Sequence, residues 1–455
     1  MKSTILKYFS LLLLAFSSQL SAFSQENSPY SRYGLGDLVP NQNITSRAMG
    51  GISSGFYDLQ GIQSINFSNP ATLGSISFTM LDLGAEADIH TLKNINPAKK
   101  YTQSNSLFSY LQAAFPIASQ KMLKKGTNWG FGFGIKPVSR IDYKIEKRSR
   151  LNNVDSLYTQ YEGTGGLNQA YLGTGISFNL NKNKASLRVN RLSFGVQFGY
   201  MFGSKDFSTK LTFINDTVNY YRSNSETKSN FGGVFTHVGI QYETSLKNGG
   251  MLRIGANGNM QQKMNAKQDI IRETFQFDAN GNTYRIDSIY DQKNVKGKVE
   301  YPSSYSVGFT YADHHWLFGA DYETSNWASY KYYGATEQLR NAWTIRGGAQ
   351  YFPAKDNTPA KKYFSFVKYR MGFYYGPDYV QLNSNNRPQY AFTLGTGMPL
   401  TSLRRNSYNM EYVTLNTALE IGARGNKQTN VKEGMVRFSV GVSMNARWFR
   451  KIKYD

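Results

Sequence analysis

The stretch Val436–Trp448, VRFSVGVSMNARW, carries a strong strand signal. Val436, Phe438, Val440, Val442, Met444, Ala446 and Trp448 fall on one face of an extended chain, because successive side chains of a strand point to opposite sides. Arg437, Ser439, Gly441, Ser443, Asn445 and Arg447 fall on the other. In a soluble sandwich the apolar face turns inward and the polar face is wetted. Here the apolar face is unbroken and ends on an aromatic ring, while the opposite face mixes glycine with charge. That pairing suits a strand with lipid on one side and a hydrated or plugged lumen on the other. A strand in lipid must belong to a closed barrel, since an open edge would leave backbone groups unpaired.

The pattern recurs along the chain. Leu192, Phe194, Val196, Phe198, Tyr200 and Phe202 alternate with Arg191, Ser193, Gly195, Gln197 and Gly199. Leu81, Leu83, Ala85, Ala87 and Ile89 alternate with Asp82, Gly84, Glu86 and Asp88, and Val238, Ile240 and Tyr242 oppose His237, Gly239 and Gln241. Fourteen such segments begin near residues 74, 105, 128, 167, 190, 229, 250, 301, 315, 341, 364, 388, 407 and 431. The expectation is an all-β fold: a transmembrane antiparallel β-barrel of about 14 strands over residues 74–455. An even count brings both ends of the barrel chain to the periplasmic side of a bacterial outer membrane. The segments around 141–166, 205–228, 268–300 and 328–340 then fall at the cell surface, some of them as hairpins that lengthen the barrel.

Composition agrees with this reading. The 455 residues include 42 glycines, 33 tyrosines and 29 phenylalanines, a mixture suited to strands and turns. No cysteine is present, which excludes disulfides, thiolate metal sites and a lipoprotein anchor. The N-terminus places Lys2 and Lys7 before the apolar run Leu11–Phe16 and the small residues Ala22 and Ser24. It reads as a secretory signal peptide over residues 1–24. The formal charge of +22 is spread along the chain and crowds into short inter-strand segments such as QKMLKKG and TSLRRN. It is read as charge at the membrane–water boundary, with lipid as the partner and no nucleic acid. The four histidines (His90, His237, His314 and His315) form no metal-ligand spacing, and no nucleophile elbow or P-loop stands out. The expectation is no catalytic residue, no metal, no cofactor and no enzyme activity.

Alternation also places Asp82, Glu86, Arg191, Asp321, Glu323, Arg346 and Arg437 on the lumen side. Arg346 lies on the strand after that of Asp321 and Glu323, so an internal ion pair is expected there. Residues 25–73 precede the wall, and they combine glycines and turn residues with Tyr30, Leu35, Met49, Ile52, Phe56 and Phe67. A disordered tail would be poorer in such side chains. A compact segment inside the barrel is predicted.

The RAMGG element at 47–51 and INFSNPATL at 65–73, placed ahead of fourteen strands, resemble the FadL/TodX family of outer-membrane transport proteins in the form common among Bacteroidetes. The resemblance implies that residues 25–73 form a hatch and that Asn69, Pro70 and Ala71 correspond to the family's hatch motif. The third strand reads NWGFGFGIKPVSR, with Gly130, Gly132 and Gly134 on one face and Pro137 in its path. Glycine weakens a strand and proline removes a ladder donor, which predicts a bulge or bend. The resemblance implies a kink there whose gap releases ligand sideways into the membrane. The other reading is that the inward glycines make room for the plug. The implied function is passive uptake of a small hydrophobic compound. The glycine-rich, charged inner faces depart from an apolar conduit. The alternative is a non-transporting barrel that serves as subunit or docking platform of a larger outer-membrane secretion or assembly complex.

Overall fold

A computed structural model of the chain describes residues 28–446 apart from 59–63, 95–97, 153, 182–187, 216–217, 219, 279–282, 355–361, 382–386, 401–411 and 426–430. The proposed signal peptide lies outside the described residues.

Fourteen antiparallel strands close into a barrel. They are β1 (Thr79–Asn94), β2 (Lys99–Pro116), β3 (Thr127–Arg150), β4 (Ser156–Asn179), β5 (Asn190–Phe213) and β6 (Arg222–Ser245). Next come β7 (Met251–Asn259, continued by Gln262–Phe277) and β8 (Thr283–Tyr301, continued by Ser304–Ala312). The ring is completed by β9 (Trp316–Ser325), β10 (Ala342–Tyr351), β11 (Lys368–Pro377), β12 (Pro388–Pro399), β13 (Tyr412–Arg424) and β14 (Val431–Ala446). Each strand pairs with the next, and β14 pairs with β1 from Val431↔Asn94 to Ala446↔Thr79. No helix among the described residues is long and apolar enough to cross a membrane.

The side-chain alternation is realised. On β14, Val436 and Phe438 are exposed while Arg437 and Ser439 are buried. On β1, Leu81, Leu83 and Ile89 face out while Asp82, Glu86 and Asp88 face in. Several limits differ from the sequence reading. β1 starts at Thr79 rather than near 74, because Pro70–Ser75 forms a 3-10 turn. β4 starts at Ser156, β6 at Arg222 and β8 at Thr283, well before 167, 229 and 301. These early portions are paired sheet, with Leu157↔Phe213 on β4–β5 and Ser223↔Thr274 on β6–β7. Of the four stretches assigned to the surface, 141–166, 205–228 and 268–300 are therefore mostly strand. β3 to β8 rise as a tall wall above the remaining strands.

The N-terminal segment lies against the inner face of this barrel. It begins with a 3-10 turn (Pro29–Arg32), passes through a two-residue strand (Asp37–Leu38) and one short helix, α1 (Ile44–Arg47), and ends in the turn Pro70–Ser75. Asn43 caps α1 by accepting the Ser46 amide at 2.9 Å. Ile44, Ala48, Met49, Ile52 and Phe56 are wholly buried. Packed against the wall residues Tyr110, Ala418 and Leu317, they supply apolar clusters that a water-filled lumen would lack.

Candidate functional site: the filled lumen and the seam beside strand β3

Inward-facing glycines shape the seat of the N-terminal segment. Gly130, Gly175, Gly195 and Gly239 stand opposite one another across β3 to β6. With no side chains there, the turn at Asn69-Pro70-Ala71 lies directly on the sheet. A Cβ at Gly195 would collide with the Pro70 carbonyl carbon and the Ala71 amide, and one at Gly239 with the Asn69 side chain. At Gly175 it would meet the Gly74 amide at 2.6 Å, and at Gly130 the Leu73 carbonyl. A second cradle, Gly348 beside Gly372 on β10 and β11, receives Met49 and Gly50.

Asn69 ties this turn together. Its Oδ1 accepts the Ala71 amide at 3.1 Å, and its Nδ2 donates to the carbonyls of Ser54 at 2.7 Å and of Ile240 on β6 at 3.3 Å. Pro70 supplies the fixed φ at the first position of the 3-10 turn. His237 Nε2 sits 2.9 Å from the Ser68 carbonyl, and no described nucleophile stands in hydrogen-bond contact with the ring.

Some charges at the lumen wall bind the segment, and others pair with one another across neighbouring strands. Arg47 of α1 pairs with Glu86 on β1 and donates to the Pro40 and Gln42 carbonyls. Glu86 also receives Arg140 of β3 at 2.8 Å and the Ser109 hydroxyl at 2.8 Å. Asp321 accepts the Ser53 and Ser54 amides at 2.6 and 2.8 Å. Arg346 reaches Glu323 at 2.6 Å, leaving Asp321 to the segment backbone. Asp82 holds Gln112 and Ser443 at 3.0 Å each. Arg437 grips Asp88 through two nitrogens at 2.7 and 3.1 Å. Arg191 lies apart from this network, 3.9 Å from Glu243, whose main partner is Arg253 at 3.0 Å.

Sequence reasoning did not single out the segment's own ionic contacts. Asp58 meets Lys368 at 2.6 Å and Arg370 at 3.7 Å, and Asp37 meets Arg424 at 2.7 Å. Charged residues in an otherwise apolar, glycine-rich stretch were the available signal. Replacing Asp321 with Ala should strand the two buried Ser53 and Ser54 amides, at about 1–3 kcal/mol each. Faster hydrogen exchange confined to residues 49–56 checks this.

Near Pro137 the wall is incomplete. β2 pairs with β3 only over Leu111–Pro116 with Gly130–Ile135. A register shift falls between Pro137 and Ser139, and from there β3 has no β2 partner. The N-terminal segment takes that place: Asp37 pairs with Arg140, Leu38 with Ser139, and the Val39 amide donates to the Val138 carbonyl at 3.0 Å. Gly130 and Gly132 face Leu73, whereas Gly134 faces the Leu111 carbonyl and the Tyr171 hydroxyl. The glycines thus contact the segment and neighbouring strands, and the β2 pairing of β3 ends at Ile135, just before Pro137.

A cavity of about 230 Å³ remains above the segment. Arg47, Arg140, Arg346, Arg424 and Arg437 line it, with Glu323 and Glu420. Asp37, Asp378, Leu38, Val138, Phe235, Trp327 and Met435 also line it, and each of the five arginines is paired with a carboxylate.

Solved structures share the fold. A Pseudomonas aeruginosa FadL homologue superposes with a TM-score of 0.54 at 12% identity, over 92% of this chain and 100% of that one. The Pseudomonas putida toluene transporter TodX gives 0.51 at 14% identity, over 91% and 100%. The CymD monoaromatic hydrocarbon channel gives 0.50 at 14% identity, over 91% and 99%. No protein of curated function matches the chain. The BamG family model matches residues 4–455, nearly the whole sequence, and the chain belongs to the BamG family.

Proposed function

We propose that this protein is a plugged outer-membrane barrel that acts as a docking subunit of a larger outer-membrane assembly and carries no solute through its lumen. The observation that carries this reading is the charge-lined cavity of about 230 Å³ above a segment anchored to the wall by ion pairs. Binding sites for small apolar ligands are mostly apolar and commonly span roughly 300–1,000 Å³. A hydrocarbon here would lie against five paired guanidinium groups and the carboxylates Asp37, Glu323, Asp378 and Glu420, whose remaining solvation it could not replace. In this reading residues 25–73 are the hatch, and Asn69, Pro70 and Ala71 hold it on the glycine row. The tall wall of β3 to β8 supplies the surface for a partner. Membership of the BamG family, distinct in sequence from the hydrocarbon channels that share the fold, is consistent with a separate role.

One observation favours a second reading. The seam beside Pro137 lies where a FadL-like barrel would release a hydrophobic compound sideways, with Gly130, Gly132 and Gly134 as the flexible lower part of β3. TodX and CymD are described as a toluene transporter and a monoaromatic hydrocarbon channel. Uptake of a monoaromatic probe into proteoliposomes separates the two readings. The docking reading expects the rate of protein-free vesicles. Saturable uptake that is lost when the seam is closed by an engineered Phe108→Cys/Arg140→Cys crosslink would support the channel instead.

A further inference from the structure

We infer that the outer face of β5 to β8 carries a binding site for the phosphorylated headgroup of an outer-leaflet lipid. The site is a cavity of about 840 Å³ on the outside of the wall, where these strands leave the apolar band. Pairing places Lys267 of β7 opposite Lys296 of β8, and Asn265 opposite Lys298. Lys267, Lys296 and Lys298 are exposed, whereas the alternate residues Met264, Ala266 and Val299 are buried toward the interior. The three ammonium groups therefore share the outer face. Gly232 forms the floor, and its missing side chain leaves room for the Tyr200 ring.

Like charges directly opposite each other on a sheet are destabilising. None of these three lysines forms an ion pair with a described residue, while Lys228 beside them is matched by Glu226 at 2.9 Å. Asp206 and Asp269 also reach the cavity. Each already accepts a backbone amide, from Ser229 at 3.2 Å and from Asn294 at 2.7 Å. The lysines outnumber the carboxylates, so the net charge at the cavity is positive and suits an anion.

Depth identifies the anion's carrier. Phe202, at 39% exposure, and Val234, at 68%, mark the top of the outward apolar surface on β5 and β6. Lys267 pairs with Asn230, four residues above Val234. That is on the order of 10 Å along the membrane normal for a tilted strand, within the headgroup layer once lysine stems bend toward lipid. A phosphate monoester there carries roughly −1.5 to −2 charge and accepts hydrogen bonds from several ammonium groups at once.

The test uses the full chain in detergent, titrated with bis-phosphorylated lipid A, with its dephosphorylated form and with inorganic phosphate, and read by native mass spectrometry. The wild type should retain one lipid A molecule and neither of the other two. Lys267→Gln/Lys296→Gln/Lys298→Gln should lower retention by at least about tenfold, since each surface cation contributes on the order of 1 kcal/mol toward an anionic headgroup. Lys121→Gln/Lys124→Gln/Lys125→Gln, at the opposite end, should leave retention unchanged. Heat-modifiable migration on gels confirms that both variants fold. Equal retention by the first triple variant, or equal occupancy by dephosphorylated lipid A or free phosphate, would overturn the assignment.

Discussion

Substituting Gly195 with Val is expected to unseat the N-terminal segment while leaving the fourteen-strand wall intact. The new Cβ would occupy the space held by the backbone of Pro70 and Ala71. Backbone atoms pinned by Asn69 and Pro70 cannot swing aside as a flexible side chain would. Overpacking of this kind typically costs about 1–3 kcal/mol, and more where backbone must move. A loss of about 3 kcal/mol lowers the seated fraction more than a hundredfold relative to the unseated one. Trypsin cleavage after Arg47 reports the change, since Arg47 is almost wholly buried in the native state. Gly434→Val is the control, because a Cβ there meets only the Thr91 carbonyl at 3.9 Å. Rapid cleavage of Gly195→Val with slow cleavage of Gly434→Val is the expected result. Equal, slow cleavage of both would show that the glycine row does not position the turn.

The second large effect belongs to Arg47. Its guanidinium is buried against Glu86 and serves two carbonyls of its own segment. Arg47→Met leaves those acceptors unmatched and gives Glu86 a single remaining cation, Arg140. Removing one partner of a buried pair costs about 3–5 kcal/mol, somewhat less here because Arg140 stays. The seat of α1 should loosen, and ionic conductance across a planar bilayer should rise as water follows the opened lumen. Arg47→Lys, which keeps a cation beside Glu86 but offers fewer donors to the Pro40 and Gln42 carbonyls, should recover part of the loss. A lysine variant as conductive as Arg47→Met would mean that the pair with Glu86 is not what holds α1.

Much of this architecture was legible in the sequence. Alternation on β1, β5 and β14 identified the lipid face and the lumen face, because burial on one side and lipid on the other impose a period of two. The early halves of β4, β6 and β8 were read as surface segments, some of them hairpins, because they stand above the apolar band and lack a continuous lipid-facing row of apolar side chains. Ser156–Gly166 and Thr283–Lys298 mix polar and apolar side chains without alternation. The alignment of Gly130, Gly175, Gly195 and Gly239 was illegible for a different reason. Each glycine was visible, but their shared level is a property of register, which shifts by bulges such as the one beside Pro137. Likewise Pro137 signalled an interruption, yet only pairing reveals that Asp37–Leu38 takes the position β2 leaves open.

The ionic contacts of the N-terminal segment follow the same rule. Asp58 with Lys368 and Arg370, and Asp37 with Arg424, join residues more than three hundred positions apart. Nothing local in the sequence couples them. What they share is burial, and buried charges persist where a partner is fixed in place.

As proposed, the barrel docks a partner and carries no solute through its lumen. Native mass spectrometry of the protein, extracted at its natural abundance from the outer membrane, tests it most directly. The account predicts a complex of fixed stoichiometry with at least one other protein and no hydrophobic small molecule in the lumen. A lone barrel that carries a bound hydrophobic compound would contradict it.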